Sequence, residues 1–372
     1  MTQRIKISEP FGHCLSVFLV FLVIVPGVVG TEPLQTASRD QLLSDTVGDA
    51  YYELIQKRST QPRWQDYLQA KKKAYAWLDQ LKVDPVELTQ HGIKGKKKLA
   101  EILDAYVVAY RYATDRSEQT HMHQRIIQLA QHTHRPAYHN MLTNSDTEFR
   151  QSRMSYLRIL WLLEYMGLDS ANYRHHLRAV KLRLDATLHK LGPWVQAVFG
   201  TYYDAFELKK PPTLPVVPLN RGLIAQRVPL QYYDRIHTYH LTHELFAVFE
   251  YGFRQTQNVL TPIDRAYLRN VLPTLIMRAQ HEHNADLLAE LLSCMTYLGW
   301  QSSPGYRQSF TYLLDHQNAT GTWGSNYESR LERYGKYLDQ NLYLHTTLVV
   351  IRALIEAYEG SWPTSASMSG RD

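Results

Sequence analysis

Two stretches far apart in the chain follow one plan. The run from Tyr156 to Leu163 is apolar and closes on Tyr165-Met166-Gly167; a polar turn and Tyr173-Arg174 follow. The run from Leu288 to Met295 is also apolar and closes on Tyr297-Leu298-Gly299, before a turn and Tyr306-Arg307. Each unit reads as an apolar helix, a left-handed C-cap at glycine, and a more amphipathic helix running back. Phe249-Glu250-Tyr251-Gly252 and Tyr358-Glu359-Gly360 close two further helices in the same style. A chain built from such hairpins is all-α, and few of its stretches alternate in the manner of strands. The periodicity predicts apolar helices at 96–114, 152–167, 235–252, 284–299 and 341–359, and more polar ones at 117–133, 171–191, 262–279 and 304–317. Two earlier helices, 40–58 and 62–82, pair as another hairpin. Asp84-Pro85-Val86-Glu87 and Thr261-Pro262-Ile263-Asp264 each supply an N-cap, a first-turn proline and an acid. Alternating buried and exposed helices suit two concentric rings or an open solenoid.

The stretch Tyr312-Leu313-Leu314-Asp315-His316-Gln317-Asn318-Ala319-Thr320-Gly321-Thr322-Trp323 favours the rings over the solenoid without closing the question. Gln317 carries amide donors for orphan carbonyls at a neighbouring helix, Gly321 permits a positive φ, and Trp323 supplies a large flat surface over the turn. This pattern resembles the Gln-Trp motif of the terpenoid-cyclase and protein-prenyltransferase superfamily. There it clasps outer helices and is not catalytic. The resemblance implies an α/α toroid, helical hairpins in two concentric rings, with the ring possibly incomplete. It covers about 284–359. Tyr343-Leu344-His345-Thr346-Thr347 also resembles the His-Thr segment of protein-prenyltransferase β-subunits, whose His is a zinc ligand; His345 is the matching position. That family's Asp and Cys two residues apart are missing, because Asp286 and Cys294 are eight apart, and the acidic motifs for terpenoid substrates are absent. Prenyl transfer and cyclisation are therefore not implied. The Leu-Thr-His-Glu and His-Thr-Thr phrases are similar to those of uncharacterised exported bacterial domains of toroid architecture.

Arg4 and Lys6, an apolar core at Leu15–Val25, the Pro26-Gly27 break and the small residues before Thr31 predict a signal peptide over 1–30, with cleavage after Gly30. The apolar run is short for a membrane span of about 20 residues, so no stable span is expected after cleavage and the location is periplasmic or secreted. Cys14 leaves with the signal. Cys294 alone remains, which excludes an intramolecular disulfide. The mature chain, 31–360, reads as one toroid domain with a disordered tail at 361–372. The formal charge of +6 is mild, and Lys71-Lys72-Lys73 and Lys96-Lys97-Lys98 are expected as solvated helix faces, so no nucleic-acid partner is predicted. Pro211, Pro212, Pro215, Pro218 and Pro229 make 206–230 an extended excursion, a strap across one end of the barrel.

Polar groups cluster near the predicted starts of three apolar helices. They are His237-Thr238-Tyr239-His240-Leu241-Thr242-His243-Glu244, then His281-Glu282-His283-Asn284-Ala285-Asp286 with Glu290 one turn on, then Asn341 to Thr347. In a ring of hairpins these first turns converge on one mouth. The candidate catalytic residues are His243, Glu244, Asp286 and His345, and the candidate ligand-facing residues are Tyr239, His240 and Trp323. His and carboxylate groups in a concave site suit acid–base work, or a metal if their atoms meet at one point, or mere helix capping. Cys294, mid-helix among apolar residues, reads as packing. The functional expectation is an exported cavity protein that binds or processes a polar extracytoplasmic ligand, a saccharide or peptide. The competing expectation is a non-catalytic scaffold or partner-binding module. An enzymatic reaction is not assigned, and neither is a cofactor.

Overall fold

The computed structural model describes residues 58, 61–81, 93–215, 218–255, 259–325 and 343–362. The expected signal peptide, the helix at 40–57, the Asp84 cap and residues 363–372 lie outside them.

The described residues are helical, with no strand among them. In chain order the helices are α1 Trp64–Gln80, α2 Ile93–Tyr112, α3 Arg116–Thr133, α4 Asp146–Tyr165, α5 Ala171–Ala179, α6 Lys181–Leu188, α7 Pro193–Ala205, α8 Leu223–Gln226, α9 Arg235–Val248, α10 Pro262–His281, α11 Ala285–Tyr297, α12 Pro304–Asp315 and α13 Leu344–Glu359. The starts follow local chemistry. Asp115, Ser145 and Asp234 cap α3, α4 and α9, and Thr261 with Asp264 forms a reciprocal capping box on α10. Gly167 and Gly299 take φ of 66° and 77° after α4 and α11, the left-handed closure that the repeat predicts. Gly360 differs: it is extended, with φ −72° and ψ 139°.

The apolar helices are buried nearly all round. On α4 this holds from Ser152 to Leu163, on α11 from Leu287 to Tyr297, and on α13 from Thr347 to Ile355. Helix α2 packs on α4 and α13, α13 on α11, α11 on α9, and α9 on α7. The amphipathic helices α3, α10 and α12 cover the outside. The architecture is a helical bundle with a buried inner set and an outer cover.

The two ends of the described chain meet. Helix α13 and helix α12 both pack on α1. Gln317 Nε2 donates to Ala70 O on α1 and to Gly321 O, each at 2.9 Å. Trp323 is fully buried, and its Nε1–H donates to Leu313 O at 2.7 Å. Gly321 has φ 96°, and a Cβ there would overlap the Lys73 carbonyl, so glycine is what lets the turn lie against α1. Trp323 therefore closes the bundle and offers no face to a ligand.

Four further expectations are corrected. Lys71 is buried between Glu359 and Glu118, both at 2.5 Å, and Lys96 is buried on Glu148 at 2.7 Å. Only the later residues of each lysine triplet reach solvent more freely. The excursion is not wholly extended, because Pro218–Arg221 forms a 3-10 turn and α8 a single helical turn. The span 171–191 is two helices broken at Val180. Residues 361–362, expected in a disordered tail, are part of the packed structure, since Trp362 packs on Tyr297 with ring centroids 4.8 Å apart. No described helix is long and apolar enough to cross a membrane.

Candidate metal centre

Asn284 caps α11 by accepting from Leu287 N at 3.2 Å, and this places Asp286 in the first turn with Glu290 one turn further on the same face. His345 lies in the first turn of α13, which packs directly on α11. Asp286, Glu290 and His345 each bring one ligand atom to within 4.8 Å of the others. His345 Nε2 is 3.6 Å from Asp286 Oδ1. Bonds of 2.0–2.2 Å at tetrahedral angles hold ligand atoms roughly 3.3–3.5 Å apart. One edge of the triangle is thus already at coordination spacing, and the others need a small inward rotation.

Each member also has an atom to spare. Asp286 Oδ1, Glu290 Oε1 and both ring nitrogens of His345 are secluded and make no hydrogen bond. Their remaining atoms are held firmly. Tyr239 on α9 donates to Asp286 Oδ2 at 2.5 Å, and Thr242 donates to Glu290 Oε2 at 2.5 Å. On the other edge of the imidazole, Nδ1 lies 3.1 Å from Glu101 Oε1 of α2, and Lys97 lies 3.4 Å from the same oxygen.

The electrostatics are those of negative charge in excess. Glu290 is 0% exposed. Burial first, and the charge of Asp286 second, push its carboxyl well above the usual range. Desolvation works against a charged His345, but the carboxylates of Glu101 and Asp286 prevail and raise it. Burial also opposes ionisation of Glu101; the charges of Lys97 and His345 overcome it and hold that carboxyl at about 2. The His345 and Asp286 side chains stay 28% and 14% exposed, so one flank of the centre is reachable from solvent.

Of the residues singled out in sequence, Asp286, His345 and Tyr239 come together. His243 lies behind Glu290. Its Nδ1 is turned to the Tyr239 carbonyl at 2.7 Å and stands 3.7 Å from Glu290 Oε2, with the ring tilted against Trp194. His240 is on the exposed side of α9, beside His237. Glu244 belongs to the strap: its two oxygens accept from Leu223 N at 2.7 Å and Ile224 N at 3.0 Å, at the start of α8. Cys294 Sγ faces the Thr242 carbonyl in the core, so no thiolate joins the centre.

Thr242 and Glu101 were not foreseen. Thr242 stands in the same polar phrase as Tyr239 and His243, one residue before the latter. Glu101 lies beside the apolar stripe of α2 and was not singled out in sequence; it is buried because α2 is covered on every side from Glu101 to Ala109.

A two-carboxylate, one-imidazole set without sulfur suits a divalent cation of the manganese, iron or zinc type, and three protein ligands leave positions open for water or a polar ligand. No curated protein and no solved structure matches this chain. One family model does, over residues 72–354, which takes in every residue of the centre. By that match the chain belongs to the family described as a domain of unknown function, DUF6895.

Proposed function

We propose that this chain is an exported α/α-toroid domain that holds a divalent cation on Asp286, Glu290 and His345 and uses it to bind or process a polar extracytoplasmic ligand, a saccharide or peptide, at the barrel mouth. The observation that carries the reading is the convergence of three side chains with secluded, unpartnered nitrogen or oxygen atoms on one point. An acid cluster that merely capped helices would have its lone pairs occupied. The toroid is supported by the succession α4, α2, α13, α11, α9, α7 of packed helices and by the contact of α1 with α12 and α13. The partial exposure of Asp286 and His345 supports access by a ligand from one side.

The cation fixes the division of labour among the side chains. His345 and the two carboxylates coordinate, while Tyr239 and Thr242 hold the carboxylate oxygens that do not. The bound cation supplies charge to polarise an oxygen of a ligand in the open position.

The test is calorimetric titration of chelator-stripped full-length mature protein with Mn2+ and Zn2+, with bound metal counted by elemental analysis. One cation per chain is expected, with binding lost in Asp286→Asn and His345→Ala. Unchanged stoichiometry in both variants would place the cation elsewhere.

A further inference from the structure

We propose that Glu101 is the positioning residue of the centre: it fixes the tautomer and orientation of His345 from the far edge of the imidazole, without itself ligating the cation. The inference rests on the cation reading above, and it draws on geometry that the reading does not use.

An imidazole ligating a cation through Nε2 must carry its proton on Nδ1. That proton needs an acceptor. The atom facing Nδ1 is Glu101 Oε1 at 3.1 Å. The two atoms stand at hydrogen-bonding distance, and no other group is hydrogen-bonded to either of them. The two edges of the ring are thus assigned to different carboxylates, Glu101 at Nδ1 and Asp286 at Nε2. Because the two ring nitrogens point away from each other, a carboxylate on the Nδ1 edge cannot reach a cation on the Nε2 edge. The cluster with ligand spacing accordingly contains Asp286, Glu290 and His345, and not Glu101.

Glu101 is built to stay charged and in place. It is buried on α2, a helix packed against the first turns of α13, and Lys97 one turn before it holds the same oxygen. A cavity of about 10 Å3 lies beside the pair, bounded by Glu101, Asp104, Arg158, His345 and Arg352. It has room for about one water and no more. A small rotation of the imidazole is therefore accommodated there. Such a carboxylate behind a metal-bound histidine raises its basicity and commits its tautomer, and removing one typically costs tenfold to a hundredfold in metal affinity.

The experiment uses the full mature chain, stripped of metal, as wild type, Glu101→Gln and Glu101→Ala. Two-dimensional 15N–1H long-range spectra read the His345 tautomer without any cation present, with His345→Gln identifying the signals. Titration with Mn2+ and Zn2+ reads affinity, and thermal melting reads folding. At a pH high enough to leave His345 neutral, the wild type is expected to show the Nδ1–H form. Glu101→Ala is expected to give a tautomer mixture and a tenfold to hundredfold weaker cation, and Glu101→Gln, which keeps the shape and a neutral acceptor, an intermediate loss. A purely structural Glu101 would lower the melting temperature and leave tautomer and affinity untouched, which overturns the proposal. If the wild type takes up neither cation, the function proposed above fails, while the tautomer spectra still decide whether Glu101 orients the ring. If Glu101→Ala does not fold, Glu101→Gln carries the same decision.

Discussion

Trp323→Ala tests the closure of the bundle. The indole is wholly buried between α12 and the first turns of α13. Truncating a buried tryptophan costs about 3–5 kcal/mol through lost transfer energy and the cavity left behind. The hydrogen-bond loss adds little, because Leu313 O keeps a second donor in His316 N at 3.3 Å. The backbone bond from Trp323 N to Thr347 Oγ1 at 3.1 Å does not involve the indole. The cost therefore resides in packing, and Trp323→Phe, which keeps much of the volume and loses only Nε1–H, should cost about 1–2 kcal/mol. Domains of ordinary stability have about 5–15 kcal/mol in total, so the alanine variant should fold with a visibly lower urea midpoint. Far-UV circular dichroism during urea unfolding measures both. A loss below about 1 kcal/mol for Trp323→Ala, or equal losses for Ala and Phe, would refute the view that indole volume closes the turn onto α1.

Two further outcomes follow from named carboxylates. Burial raises Glu244 and Glu250 to about 7 from the usual 4.5, whereas Glu101 sits at about 2. Raised groups favour the fold most below pH 4.5 and lose that contribution as pH climbs through 7; Glu101 contributes above 4.5 and loses its share as pH falls towards 2. Thermal melts should therefore peak near pH 4.5 and decline between about 4.5 and 7, and Glu244→Gln should flatten that decline by about 1–3 kcal/mol while leaving Mn2+ binding unchanged. Glu290→Gln should abolish Mn2+ binding while changing the urea midpoint of the metal-free protein little at about pH 6, because burial and Asp286 keep that carboxyl protonated and a neutral amide replaces it with nearly the same shape.

The helical plan was largely legible. The 3–4 periodicity and the Thr261-Pro262-Ile263-Asp264 cap placed α10 within two residues, and the Tyr-x-Gly closures located the ends of α4 and α11. Helix α7 was not foreseen, although Gly192-Pro193 is a serviceable start; its aromatic residues carry no polar stripe, so the periodicity is faint there. Asp286 and His345 were legible because both stand in first turns of apolar helices, where a polar side chain has few reasons to be. Glu244 misled for the same reason that it matters: position i+4 from His240 puts it on a shared face only along α9, and the strap that claims it lies outside any helix period. Glu101 was hidden because an amphipathic stripe implies a wet opposite face, and α2 has none.

Other buried carboxylates of the bundle are answered by opposite charge or by backbone donors. Asp104 is held by Arg158 at 2.9 Å and Arg352 at 3.0 Å, Arg352 also meets Glu356 at 2.7 Å, and Lys71 sits between Glu118 and Glu359. Glu244 has two backbone N–H donors. Glu290 stands apart among the described residues. Its hydrogen bond comes from one hydroxyl, its other oxygen has none, and its electrostatic neighbour is another carboxylate. Ionising a carboxyl so poorly compensated costs several kcal/mol, which the other buried carboxylates avoid through their partners. In the proposed function a divalent cation would offset that cost, by pairing with Asp286 and Glu290 together and occupying the idle edge of His345. The cluster lies where α11 and α13 pack together beside α9, and the partial exposure of the His345 and Asp286 side chains is the side from which a cation would have to enter.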